Sequence, residues 1–204
     1  MADVVIIDSG GANLASLGFA LARLGAHAEV STDADRIRRA SHVLLPGVGA
    51  AHDTMARLRQ HGLDALIPTL RQPVLGICLG MQLLFDSSEE AEAGSSHTTT
   101  LGVVPGRVAR MAASPTRPVP HMGWNQLEPL RQDPLFEGIA PGAYVYFVHS
   151  FAAPVTADTL VASDYEGRFC AAVRRGNFLG VQFHPERSAG VGARLLANFI
   201  ALPE

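Results

Sequence analysis

The first eighty residues alternate between apolar runs too short to be helices and stretches with helical spacing. Residues 3–8 read DVVIID, residues 42–49 HVLLPGVG and residues 73–77 PVLGI. None shows the polar alternation of a strand with one wet face, so each predicts a strand buried on both sides. Between the first two, Leu14, Leu17, Leu21 and Leu24 recur at three- and four-residue intervals until Gly25 supplies a stop, which predicts a helix. Residues 26–32 (AHAEVST) read as another strand, and a helix is expected from about Ala51 to Arg71. Buried strands separated by helices imply a parallel sheet covered on both faces.

After residue 90 the texture changes. AGSSHTTT is a polar loop, whereas LGVVPGRVARM, AYVYFVHSFAAP, TLVASDY and FCAAVRRGNFLGVQF alternate and turn like antiparallel hairpins. Val191, Leu195, Leu196, Phe199 and Ile200 share one face of a final helix. The fold class is α/β, a three-layer arrangement with a mostly parallel central sheet and antiparallel strands added in the C-terminal half. SPTRPVP (114–120) fits an ordered turn or sheet edge better than a tether, so residues 1–204 are expected to form a single domain.

Sixteen basic residues stand against nineteen acidic ones, with no block of Lys or Arg. That balance argues against nucleic acid and anionic membranes as partners, and no apolar run is long enough to cross a bilayer. The start of the chain leaves no room for a signal peptide, so a cytoplasmic protein is expected. Two cysteines, Cys78 and Cys170, are too few for a disulfide framework, and each needs its own explanation.

In GICLG, Gly76 and Gly80 flank Cys78 where a strand passes into helical sequence. Hydrolases with a serine nucleophile use Gly-x-Ser-x-Gly at such a turn, which aims the side chain beyond the carboxyl end of the strand. The start of the following helix then favours a thiolate. The competing reading is a buried structural cysteine at a tight junction. In GVQFHPERS (180–188) an apolar strand ends in His-Pro-Glu. Extended backbone there would project His184 and Glu186 to one side, so the carboxylate could orient the imidazole towards a thiol; a capped strand end is the alternative. LLPGVGA (44–50) is a strand ending in a Gly-rich turn, either a set of backbone donors for an oxyanion or a phosphate cradle. DSGGANL (8–14) reads as a turn and helix start.

Taken in order, PGVGA, GICLGMQ, HMGWN, YFVHS and GVQFHPE resemble the class I glutamine amidotransferases, in particular the glutaminase subunits of imidazole glycerol phosphate synthases, over nearly the whole chain. The resemblance implies a flavodoxin-like fold, no cofactor and no metal. It implies that Cys78 attacks the side-chain amide of L-glutamine, that His184 carries the proton to departing ammonia, and that Glu186 orients the ring. By the same analogy the oxyanion hole is formed at Leu79 and at Gly47, Val48 and Gly49. Gln82 and Glu90, one and about three helical turns beyond Cys78, would hold the substrate's amino-acid end with His149 and Ser150. The implied partner is a (β/α)₈-barrel cyclase that receives the ammonia, and His121, Met122, Gly123, Trp124 and Asn125 lie where the family contacts it. Ala51, Phe151 and Arg187 depart from the residues more usual in the family. Cys170 is read as a small buried apolar residue. Another class I glutaminase, such as that of pyridoxal phosphate synthesis, a non-catalytic module on the same fold, and a peptidase are the competing functions.

Overall fold

The computed structural model describes residues 2–10 and 14–203; residues 11–13 of the DSGGANL segment lie outside them. The N-terminal half runs β1 (Asp3–Ile7), α1 (Leu14–Arg23), β2 (His27–Ser31), α2 (Ala34–Arg39), β3 (His42–Gly47), α3 (Ala51–Gln60), α4 (Leu63–Leu66), β4 (Val74–Cys78) and α5 (Leu79–Gln82). Strands then dominate: β5 (Phe85–Ser88), β6 (Thr98–Thr99), β7 (Val104–Arg110), β8 (His121–Gln126), β9 (Glu128–Pro129), β10 (Tyr144–His149), β11 (Phe151–Ala152), β12 (Thr159–Asp164), β13 (Arg168–Arg175) and β14 (Phe178–Val181), before α6 (Ala189–Ile200).

The main sheet has the order β2-β1-β3-β4-β14-β13-β12-β9. It is parallel from β2 to β14 and antiparallel from β14 onwards. Along β1, Val4 and Ile6 enter one apolar cluster and Val5 and Ile7 the other, as side-chain alternation requires. Leu17 and Leu21 of α1 and Leu195, Leu196 and Phe199 of α6 cover the first face; Met55 and Leu58 of α3 and Leu63 and Leu66 of α4 cover the second. This is the expected α/β arrangement. Among the described residues no helix is long and apolar enough to cross a membrane.

Three elements differ from expectation. AHAEVST does form β2, but at the sheet edge, where most of its residues stay partly or fully exposed. The helix expected from 51 to 71 breaks at Gly62, whose φ of 65° ends α3, and Pro68 belongs to a closing 3₁₀ turn. The helix after Cys78 lasts a single turn, because Leu83, Leu84 and Phe85 are fully buried and the Leu84 carbonyl is taken by the N–H groups of Val103 and Val104, both at 2.8 Å. That pairing leads into a second sheet, β11-β7-β5-β6.

β8 and β10 form a separate antiparallel ribbon, in register from His121 opposite His149 to Gln126 opposite Tyr144. Its inner face is fixed by a directional chain of hydrogen bonds. The Phe151 carbonyl can only accept, so His149 Nδ1, 2.8 Å away, carries a hydrogen. In a neutral ring Nε2 is then the acceptor and takes the Nδ1–H of His121 at 3.0 Å. His121 Nε2 in turn faces Asn125 Nδ2 at 3.4 Å, and that amide also donates to the Asp164 carbonyl at 2.9 Å. The His121 ring stacks on Tyr165 at 4.0 Å and on Phe147 at 4.9 Å. Burial, helped by Arg117, pushes the His121 pKa down to about 4. Burial also pushes His149 down to about 3, despite the bond to Phe151 that works the other way.

Two measurements check this packing. A Cβ on Gly80 would lie 1.7 Å from the Leu45 carbonyl oxygen, whereas one on Gly18 of α1 meets nothing within 4 Å. In urea titrations Gly80→Ala should therefore cost more than about 3 kcal/mol, and Gly18→Ala should gain up to about 1 kcal/mol. Both ribbon histidines have folded pKa values below the ordinary one, so between pH 6.5 and 4 the unfolded chain binds protons that the folded chain refuses. The share of stability that these two rings supply is thus whole above pH 6.5 and lost as pH falls, and a thermal midpoint that stayed flat between pH 6.5 and 5 would mean that both rings are charged in the fold.

Candidate active site

β3, β4 and β14 lie side by side and parallel, with Gly47 level with Cys78 and Val181 level with Ile77. The carboxyl ends of three neighbouring strands therefore deliver the PGVG turn, the cysteine and the GVQFHPE segment to one place. Cys78 has φ 54° and ψ −112°, a conformation that costs a residue with a side chain of the order of 1–3 kcal/mol. Its neighbours hold it there by close approach. Cβ atoms on Gly76 and Gly47 would stand 2.6 Å from the Gly80 carbonyl oxygen and 2.9 Å from the Gly80 nitrogen. Only hydrogen fits at these positions, and the GxCxG spacing follows from that contact.

Cys78 is nearly buried and lines a cavity of about 590 Å³ with Val48, Gly49, Gln82, Glu90 and His184. The sulfur lies 3.8 Å from the Val148 carbonyl and 3.7 Å from Gln182 Nε2. α5 is a single turn, so the helix dipole expected beside the sulfur is small. The stronger cation is the imidazole. His184 Nδ1 is 2.8 Å from Glu186 Oε1, with both side chains almost wholly buried. A carboxylate there makes Nδ1 the protonated nitrogen and turns Nε2 towards the sulfur. Burial disfavours the imidazolium, but hydrogen bonding and negative charge at Cys78 and Glu186 outweigh it and push the His184 pKa up to about 10. Nε2 has no hydrogen bond of standard geometry among the described residues, so its interaction with the sulfur is longer than a normal hydrogen bond.

His184 and Glu186 meet through a 3₁₀ turn, Pro185–Arg187, rather than through extended backbone. Pro185 fits the first position of such a turn, and α6 presses on it so closely that a Cβ on Gly192 would stand 1.8 Å from the Pro185 oxygen. The His184 N–H donates to the Tyr146 carbonyl at 2.9 Å. Ser188 Oγ donates to the His184 carbonyl at 2.7 Å and accepts from the Tyr146 N–H at 3.0 Å. The imidazole is thus tied to the ribbon as well as to the sheet.

The remaining expected site residues divide. Val48, Gly49, Leu79, Gln82, Glu90, His149 and Ser150 line the same cavity, whereas Gly47 packs behind it against Leu79. Glu90 follows β5 and is not on a helix; its Oε2 accepts from the Ala51 N–H at 2.8 Å, and burial, partly offset by this bond, raises its pKa. The His149 ring is committed to Phe151 and His121. Gln82 donates to the Phe151 carbonyl at 2.8 Å and to Gln182 Oε1 at 2.9 Å. Of the HMGWN segment, Met122 and Trp124 are exposed, but His121 is buried under the ribbon and Asn125 bonds inward. Sequence reasoning missed Gln182; a polar residue inside the apolar run GVQF was the available signal. Arg187 lines the cavity and lies over the Tyr146 ring at 5.2 Å. Cys170 is buried in β13, and burial pushes its thiol up to about 12.

Comparison with known proteins identifies the family. The family model for glutamine amidotransferase class-I matches residues 5–202. The chain is 52% identical to the imidazole glycerol phosphate synthase subunit HisH of Xanthomonas campestris pv. campestris strain 8004, over 99% of this chain and 98% of that protein. It is 49% identical to the corresponding HisH of Xylella fastidiosa strain Temecula1 over the same shares. Among solved structures, PurLQS from Thermotoga maritima (TM-score 0.74, 18% identity, 98% of this chain and 99% of that one) and a glutamine amidotransferase (TM-score 0.72, 20% identity, 97% of each) share the fold. With its sequence matched from end to end, the chain belongs to the class I glutamine amidotransferases and, among them, to the glutaminase subunits of imidazole glycerol phosphate synthase.

Proposed function

We propose that this single-domain cytoplasmic protein hydrolyses glutamine at Cys78 and hands the ammonia to a (β/α)₈-barrel cyclase, which makes imidazole glycerol phosphate and the carboxamide nucleotide AICAR in histidine biosynthesis. The observation that carries the reading is that a strained Cys78 and His184, the latter bound to the buried Glu186, line one cavity.

Cys78 Sγ, its proton already held on His184 Nε2, attacks the side-chain amide carbon of glutamine. Glu186, bound to Nδ1, keeps that nitrogen protonated and stabilises the imidazolium. The amide oxygen, now negative, is received by backbone N–H groups at Leu79 and the Val48–Gly49 turn; one such donor is worth about 10²–10³ in rate. The intermediate collapses as His184 returns its proton to the leaving nitrogen, which departs as ammonia. Water, deprotonated by His184, then cleaves the γ-glutamyl thioester to glutamate, which frees the sulfur and leaves the proton back on His184. Glu90, Gln82, His149 and Ser150 hold the amino-acid end, the two last through backbone atoms.

Ammonia released into water at neutral pH becomes mostly ammonium and is no longer nucleophilic, so the reaction is useful only beside its acceptor. The exposed Met122, Trp124 and Tyr144 on the outer face of the ribbon suit that docking, with Trp124 as anchor.

Glutamate release should rise when the cyclase and its nucleotide ligand are added, and Cys78→Ala should abolish it by at least about 10³-fold in either setting. Equal rates with and without the partner would remove the coupling, and an active alanine variant would remove the nucleophile. The same variant strips His184 of two influences that raise its pKa, so its imidazole resonances should titrate well below the pH 10 region. A midpoint that did not move would place the sulfur too far from the ring for this chemistry.

A further inference from the structure

The buried amide of Gln182 has no part in the mechanism above. It directly follows β14 at the level of Cys78, is wholly buried and places Nε2 3.7 Å from the sulfur. Burying an amide costs free energy unless its hydrogen bonds are remade, and an apolar side chain could have filled the space. Its orientation is dictated by a carbonyl two residues removed in the hydrogen-bond chain. Phe151 O can only accept, so Gln82 must present its nitrogen there. The second hydrogen on that nitrogen needs an acceptor, which turns Gln182 Oε1 towards Gln82. Gln182 is then left facing the sulfur with its N–H₂ group.

The two hydrogen-bonding neighbours of the sulfur differ in what they favour. The Val148 carbonyl, at 3.8 Å, accepts from a thiol and repels a sulfur anion. Gln182 Nε2 can only donate, and its bond strengthens as the sulfur becomes negative.

We propose that Gln182 is a positioning residue for the Cys78 sulfur: its amide, oriented through Gln82 by the Phe151 carbonyl, holds the sulfur facing the cavity and supports its anionic form. This rests on the reading of Cys78 as the nucleophile. The two fail separately, because an active Cys78→Ala would end that reading, whereas the Gln182 variants test only the support of the sulfur.

The test is the pH profile of Cys78 alkylation by iodoacetamide in the full chain, read on the Cys78 peptide by mass spectrometry, together with glutaminase kinetics in the complex. Gln182→Met keeps the volume and removes the donor. It should move the alkylation midpoint up by about one pH unit and lower kcat roughly tenfold, with KM little changed. Gln182→Glu can still accept from Gln82 but faces the sulfur with negative charge, and should move the midpoint further in the same direction. A purely structural role would lower the melting temperature and leave the midpoint in place. An unchanged midpoint in whichever variant folds overturns the proposal, and so does failure of both variants to show a native melting transition.

Discussion

The site depends on how closely two backbone segments approach each other. β3 and the Cys78 turn come so near that Gly47, Gly76 and Gly80 can carry no side chain, and that contact holds Cys78 at a positive φ. The strain of the elbow, of the order of 1–3 kcal/mol, is offset by the buried Val74, Leu75 and Ile77 of β4 and by Leu79 and Met81 beyond it. The sulfur is therefore aimed by packing, with little contribution from the single-turn helix that follows.

Environment divides the histidines of this region into two kinds. His184 is as buried as its neighbours but has Glu186 on one side and Cys78 on the other, and it stays protonated through neutral pH. Among the described residues, His149 and His121 have no carboxylate partner. Each satisfies its ring nitrogens with a carbonyl, an amide or the other ring, and each stays neutral. Burial alone would have pushed all three the same way; Cys78 and the Glu186 carboxylate together reverse the direction for His184.

Much of this was legible in the sequence, for particular reasons. Unbroken apolar runs marked the strands buried on both faces, and GxCxG and HPE marked two segments that the sheet brings to one cavity, because backbone contact and ring orientation each demand a fixed residue at a fixed spacing. What escaped depended on neighbours distant in sequence. Leu83–Phe85 could have prolonged a helix until their carbonyls were drawn into the second sheet. Exposure at β2 follows from its place at the edge, which no local pattern encodes. His121 sits in an alternating strand, and only its register with His149 shows that it turns inward. Gln182 looked like an interruption of a hydrophobic strand, and its partners are Gln82 and Cys78, about a hundred residues earlier.

The Phe151 carbonyl accepts from both His149 and Gln82, and from it the hydrogens of two side-chain series take their sense, one running to the ribbon and one to the sulfur. Such an oxygen works like a keystone for polarity. Turning that one peptide plane would present an N–H where both series require a lone pair, and amides and rings alike would have to reverse together or come apart. A change at that one peptide at the start of β11 would therefore be felt both at the ribbon histidines and at the amides beside the cysteine.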